Sequence, residues 1–199
     1  MNVQGSEEFY YIIVHQKTDS MLYLGHLDYI NLWERLLRIA DLPLAYNLKT
    51  QRNMKINFIQ PLGLGVEGVH ELIHITLEKN VPAHIISEKL QTICPRGIII
   101  KKIVSTKYPA KWYNKHKYAI EYMVQFNNNK SLNKAIPMLE KIPEIIKYGC
   151  LNQTQLYLKV KNTADKQINM KELFSQLLKV DIIKMKRVRL LYTVKQPNA

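Results

Sequence analysis

Tyr10-Tyr11-Ile12-Ile13-Val14 is an apolar run rich in β-branched residues, closed by the turn cluster Lys17-Thr18-Asp19-Ser20. Beyond it Leu27, Ile30, Trp33, Leu37 and Ala40 recur at spacings of three and four. The first stretch reads as a strand and the second as a helix with one apolar stripe, packed on a sheet. Pro43 limits how far that helix runs.

Farther along the chain, Lys55 to Ile59 and Leu72 to Leu77 read as two strands joined by Pro61-Leu62-Gly63-Leu64-Gly65-Val66. Pro82 opens a second helix through Leu90, since proline fits a first helical turn. Cys94-Pro95-Arg96-Gly97 ends it, and Ile98 to Val104 is a fourth strand. The order strand, helix, strand, strand, helix, strand is the ferredoxin-like unit. The second half repeats it. Tyr118 to Phe126 alternates, with Ile120, Tyr122, Val124 and Phe126 on one face; Ser131 to Lys141 is a helix shortened or kinked by Pro137. Ile145 to Tyr148 is a brief strand, Leu156, Leu158 and Val160 mark the next, Met170 to Val180 is an amphipathic helix, and Ile183 to Val194 closes the unit. The expected fold is α+β with two tandem ferredoxin-like (βαββαβ) units: residues 9–105, a basic aromatic linker at 106–117, and a basic unit at 118–195.

Charge is divided unevenly. Residues 1–97 hold 9 Lys+Arg and 10 Asp+Glu, a net of −1, while residues 98–199 hold 20 and 6, a net of +14. A basic second half attracts polyanions, and the first half does not. The plainer reading, a lysine-rich surface that only keeps the chain in solution, stands beside it. No apolar run approaches the roughly 18 residues of a membrane span. The N-terminus carries Glu7 and Glu8 and lacks the pattern of a secretory signal or transit peptide, so a soluble protein of the bacterial cytoplasm or plastid stroma is expected. The abundance of Ile, Lys, Asn and Tyr suits an AT-rich genome. Two cysteines, Cys94 and Cys150, without metal-ligand spacing, argue for a reducing compartment and against a metal or other cofactor.

Four separated motifs carry a resemblance. Leu24-Gly25-His26-Leu27-Asp28, Trp33-Glu34-Arg35-Leu36-Leu37-Arg38, Leu42-Pro43-Leu44-Ala45-Tyr46 and Pro61-Leu62-Gly63-Leu64-Gly65-Val66-Glu67 follow one another in the order and spacing of the DUF2344, or radical SAM-linked, family. The chain resembles that family from about Tyr11 to Val104, with His26, Asp28, Arg35, Tyr46, Pro61 and Gly65 as its motif residues. The resemblance implies a setting beside radical SAM proteins, ribosomal proteins and RNA processing. It does not imply an iron–sulfur enzyme, because a cluster needs three or four thiolates and this chain has two cysteines. Lys49-Thr50-Gln51-Arg52-Asn53-Met54 stands where the family has a Gly-Phe-Asn-Pro-Arg-Pro-like loop.

Two basic segments are candidate contacts for RNA. The first, around the linker, interleaves Lys101, Lys102, Lys107, Lys111, Lys115 and Lys117 with Trp112 and Tyr113; cations neutralise phosphates and rings stack on unpaired bases. Its alternatives are a linker whose rings pack into the domain junction, or a protein contact. The second is Lys184, Lys186, Arg187 and Arg189 on the last strand, which Tyr157, Lys159 and Lys161 join if their strand lies nearby. Asp28 in a first helical turn is expected to serve the helix dipole rather than catalysis. His70 and His74 have a four-residue spacing but fall on or beside a strand, and Gly63 and Gly65 lack the lysine ending of a phosphate loop. The function expected is a non-catalytic RNA-binding accessory of the ribosome or of RNA modification, with residues 1–97 free to dock a protein partner. A linker subunit of a larger organellar complex is the alternative, and an RNA-processing enzyme using His26 a third.

Overall fold

The computed structural model describes residues 7–47, 53–164, 168–177 and 182–193. The chain is α+β. Its strands are β1 (Phe9–Lys17), β2 (Tyr46–Asn47), β3 (Asn53–Met54), β4 (Ile56–Phe58), β5 (Glu67–Leu77), β6 (Ile98–Thr106), β7 (Lys117–Phe126), β8 (Ile145–Cys150), β9 (Gln155–Lys161) and β10 (Ile182–Tyr192). Its helices are α1 (His26–Ile39), α2 (Ala83–Ile93), α3 (Ala110–His116), α4 (Asn129–Leu139) and the short α5 (Met170–Glu172), which runs into a π-helical turn at Leu173–Leu177. The expected helix to Val180 is thus α-helical only in its first turn, and residues 178–180 lie outside the described residues. Residues 106–117, expected as a linker, carry α3.

Local chemistry explains the ends of α1 and α4. Gly25 occupies the N-cap of α1, and beyond Ala40 the left-handed Asp41 (φ 49°) closes the helix ahead of Pro43. Asn128 caps α4, its side chain accepting from the Ser131 amide, so the helix starts two residues before the expected serine. Pro137 sits inside α4 without ending it at once.

Eight strands form one sheet in the order β6-β1-β5-β10-β7-β9-β8, with β4 also on β5. All pairings are antiparallel except β5 with β10, where Lys186 meets Glu67 and Arg187 meets Gly68. That short parallel ladder joins the two halves. One hydrophobic core packs Trp33, Leu36 and Leu37 of α1 and Ile86 and Leu90 of α2 on Ile13, Ile73 and Ile75. A second gathers Leu132 and Leu139 of α4, Met170, Leu173 and Phe174 on Ile120, Val124, Phe126, Leu156 and Leu158.

Bulges decide which side each charged residue takes. Opposite β1, His15 pairs Glu71 while Lys17 pairs Gly68, so β5 carries an extra residue there and Glu67 turns away from Glu71. On β10, Arg187 pairs Tyr122 but Arg189 pairs Glu121, so Val188 is extra. Arg187 therefore points to the side of Tyr122 and the helices, where it meets Glu71. Since Glu71 shares its face of β5 with Ile73 and Ile75, which pack on α1 and α2, the helices of both halves, α3 apart, lie on one side of the sheet. Lys184, Lys186 and Arg189 point to the other.

At the seam Arg187 Nε donates to Glu71 Oε1 at 2.9 Å and its Nη2 to Glu71 Oε2; Nη1 and Nη2 also donate to the carbonyls of Pro61 (3.0 Å) and Gln60 (2.7 Å). Both side chains are buried. Gly68 is required beside them, because a Cβ there would collide with the Glu71 side chain. Around the pair lie three more buried polar groups. His15 Nε2 bonds the Tyr29 hydroxyl at 2.8 Å, Lys17 Nζ donates to the Leu24 carbonyl at 3.1 Å and lies 4.4 Å from the Tyr29 ring centre, and Lys117 Nζ donates to Gln60 Oε1 at 3.0 Å. Burial holds the His15 imidazole down to about 3, with Arg187 and Lys17 pushing the same way. Burial also lowers Lys17 and Lys117, each with Arg187 adding to the effect.

Two outcomes are expected. Glu71→Ala leaves a buried guanidinium without its carboxylate, at a cost of about 3–5 kcal/mol. Thermal unfolding followed by circular dichroism should shift down by about 6–20 °C, and a loss under about 2 °C would show that the pair does not hold the seam. The second concerns pH. The unfolded His15 takes up its proton near 6.5, whereas the folded one stays neutral down to about 3. The unfolded chain thus binds more protons between those values, and stability present above pH 6.5 is lost as pH falls. His15 alone contributes a slope approaching about 1.4 kcal/mol per pH unit. His74 and His70, both lowered chiefly by burial, act in the same sense. Urea unfolding of His15→Gln between pH 6.5 and 5 should show a shallower slope than the parent; equal slopes would refute the assignment.

Candidate nucleic-acid interface

The helix-free side of the second half is a plain strand surface in register. Tyr157, Met123 and Lys186 lie across β9, β7 and β10 in one row; Lys159, Glu121 and Arg189 form the row beside it; Gln155, Gln125 and Lys184 form the row on the other flank. Lys147 of β8 pairs Lys159, and Lys161 pairs Ala119, so both belong to this face. The sequence expectation that Tyr157, Lys159 and Lys161 share a face with Lys184 and Lys186 describes this arrangement, with β7 between their strands. Arg187 does not share it.

Carboxylates temper the row of cations. Lys184 and Lys186 both reach Glu67, at 2.5 and 3.0 Å. Burial works against the Glu67 charge, but hydrogen bonds from these lysines hold its carboxyl below the ordinary range. Arg189 Nε donates to Glu121 Oε2 at 2.5 Å and the Tyr157 hydroxyl donates to Glu121 Oε1 at 2.8 Å. Glu121 is likewise held low by Arg189 and Tyr157 against the effect of burial. Lys159 lies 5.1 Å from the Tyr118 ring centre. Among the described residues, Lys147, Lys159 and Lys161 make no ion pair.

The linker residues separate into two groups. Trp112 is sandwiched between Tyr108 (4.3 Å between ring centres, 23° between planes) and His116 (4.4 Å, 24°), with Tyr192 at 6.4 Å. Tyr113 is buried, donates to Thr106 Oγ1 at 3.0 Å and packs edge-on to Tyr192. His74, opposite Ile12 on β1, bonds the Tyr108 carbonyl through Nε2 at 3.1 Å. The aromatic cluster of α3 therefore packs at the junction on the sheet face of Ile12 and His74. That is the junction alternative for Trp112 and Tyr113. Lys117 is buried at the seam. Lys101, Lys102, Lys107, Lys111 and Lys115 are exposed.

Of the family-motif residues, Pro61 and His26 lie at the seam. The Pro61 carbonyl receives Arg187, and the ring of exposed His26 lies edge-on to Phe58 at 5.8 Å beside a recess of about 10 Å³ that His15, Lys17 and Glu71 also line. Such a space holds about one water. Gly65 takes a left-handed φ of 73°, and its amide donates to the Leu22 carbonyl at 2.7 Å. Asp28 lies exposed in the first turn of α1, Arg35 is exposed on the same helix, and Tyr46 pairs Met54 across β2 and β3. Residues 49–52 of the departing loop lie outside the described residues. His70 and His74 both sit on β5, and among the described residues no group of three or more His, Cys, Asp or Glu gathers where it could hold a metal ion. No helix among the described residues is long and apolar enough to cross a membrane.

Sequence reasoning missed Met123, Gln125 and Gln155 on the helix-free face. The alternation that set Ile120, Tyr122 and Val124 inward also set these outward, but polar and single apolar residues facing solvent gave no separate signal. It also missed Glu71, Lys17 and His15, whose meeting with Arg187 spans more than a hundred residues of chain.

If Trp112 is a packing residue, Trp112→Ala should lower the melting temperature by several degrees while leaving affinity for single-stranded RNA within about twofold. An unchanged melting temperature with affinity lost, the signature of a stacking platform worth about 1–3 kcal/mol per base, would overturn that placement.

No curated protein matches this chain. The sequence profile described as an uncharacterized protein conserved in bacteria, DUF2344, matches residues 11–198, well past the residue 104 at which the motif resemblance stops. Both halves, the open strand face and the seam that joins them are therefore parts of one family unit, and the chain belongs to the DUF2344 family.

Proposed function

We propose that this protein binds RNA without acting on it chemically, through the helix-free face of its second half. One observation carries the reading: Lys147, Lys159, Lys161, Lys184, Lys186 and Arg189 lie together on that face, where Glu67 and Glu121 are the strand carboxylates that oppose them among the described residues. Adjacent strands lie about 4.8 Å apart, so β8 to β10 spread these cations over roughly 14 Å. Exposed Lys111 and Lys115 of α3 extend the positive field. Within this reading each half is a ferredoxin-like unit; the strand orders β6-β1-β5-β4 and β10-β7-β9-β8, each built from strand, helix, two strands, helix and strand, support it. An accessory role at the ribosome or beside an RNA-modifying radical SAM enzyme, in a bacterial cytoplasm or plastid, is the setting that the family resemblance implies.

A second reading has one observation of its own. Tyr23, Leu27 and Leu64 are 77%, 75% and 52% exposed, and the bond between Gly65 and Leu22 brings their segments together. Apolar side chains exposed around the family motifs suit a protein partner on the first half.

The test is RNA affinity measured by fluorescence anisotropy across salt. On a single strand, log K should fall by about 0.7 per neutralised phosphate for each unit of log salt. Replacing Lys147, Lys159 and Lys161 together by Ala should flatten that slope by about 2 units and leave the melting temperature unchanged. Absent or salt-independent binding by the parent protein would end the RNA reading. Partners retained through nuclease treatment and lost in Leu27→Asp would favour the second.

A further inference from the structure

A recess of about 90 Å³ opens on the helix-free face, lined by Met123, Gln125, Gln155, Lys184 and Lys186, with Val124 beneath. Its layout follows from register: Gln155, Gln125 and Lys184 form one cross-strand row, and Met123 stands in the next between Tyr157 and Lys186. We propose that this recess seats one unpaired pyrimidine base of a single-stranded RNA, an inference that rests on the RNA reading above and names the kind of RNA it takes.

Size is the first argument. A water-sized group needs about 10–15 Å³ of such space, so 90 Å³ takes roughly six to nine atoms. A pyrimidine with its substituents fits within that space, whereas part of a purine would stand outside it. Chemistry is the second. Gln125 donates to the Phe126 carbonyl at 3.1 Å, which leaves its side-chain oxygen to accept. Gln155 receives Asn152 Nδ2 on its oxygen at 2.9 Å, which leaves its amide group to donate. The base-pairing edge of uracil or cytosine offers both a donor and an acceptor, and meets one amide of each kind. Met123 supplies a polarisable apolar floor for the ring.

Charge is the third argument. Lys184, 48% exposed, and Lys186 border the recess while Glu67 fixes their ammonium groups, so the cations are placed in advance beside the phosphates that flank the base. Arg189 and Lys159 lie in the next row on the same face, along the line a strand of RNA would follow. An A-form duplex turns its base edges inward, and sequence-sensitive sheet surfaces read splayed single-stranded bases instead.

The experiment compares oligouridine, oligocytidine, oligoadenosine and an RNA duplex of equal length at one salt concentration, by anisotropy with the full chain. Pyrimidine strands should bind at least tenfold more tightly than oligoadenosine or duplex. Gln125→Ala with Gln155→Ala should bring pyrimidine and adenosine strands to within about twofold at an unchanged melting temperature. Photo-crosslinking of a 4-thiouridine strand to the unaltered protein should place the adduct within residues 117–126, 155–161 or 182–192, a readout that needs no variant. Equal affinity for all single strands, preference for duplex, or an adduct elsewhere overturns the pyrimidine site while leaving RNA binding in place. Failure to bind any RNA overturns the underlying reading instead.

Discussion

A guanidinium removed from water has to be met on every side, and Arg187 is. Glu71 accepts from Nε and Nη2 along one edge, and the carbonyls of Gln60 and Pro61 accept from Nη2 and Nη1. The carboxylate comes from the middle strand of the first half, the arginine from the last strand of the second, and the carbonyls from a connection whose sequence belongs to the family motifs. Only two residue pairs of parallel ladder join β5 to β10, so backbone bonding alone gives the seam little strength. Much of the structure follows from this constraint. The glycine at position 68 leaves room for the carboxylate, and the bulges in β5 and β10 turn Glu71 and Arg187 toward each other.

Those bulges also shape the opposite face. Each sends its neighbouring charges, Glu67 on β5 and Arg189 on β10, to the side opposite α1, α2 and α4. The seam and the candidate interface are therefore two consequences of the same backbone irregularities. One cation becomes an internal strut while Lys184, Lys186 and Arg189 reach the surface. Glu67 and Glu121 orient these cations and reduce their net field, so that, among the described residues, the lysines of this face without an ion pair lie farther along the sheet, on β8 and β9.

The aromatic cluster of α3 plays the part of packing material. Tyr108, Trp112, Tyr113, His116 and Tyr192 lie ring against ring over the junction, and buried His74 is tied to the same segment. A ring engaged on both faces has no face left for a base. In the proposed RNA reading, contact then falls to the charges and to the recess around Met123, where side chains still have bonding capacity to offer.

Alternation and three-to-four spacing are local properties, so most of the order of elements, the inward faces of β7 and β9 and the α+β class were legible in the residues alone, while α3 and the short β2 and β3 were not. It also determined that the excess of positive charge lies after residue 97, because charge is counted without regard to folding. Which lysines and arginines reach solvent was settled only in three dimensions. A bulge of one residue reverses the side of every residue beyond it, and no run of single residues announces one; Arg187 and Arg189, equivalent on paper, thus face opposite sides of the sheet. Burial and pairing depend on partners distant in the chain, as Glu71 is from Arg187, and so the sequence could name the cations while only tertiary contact could divide struts from surface.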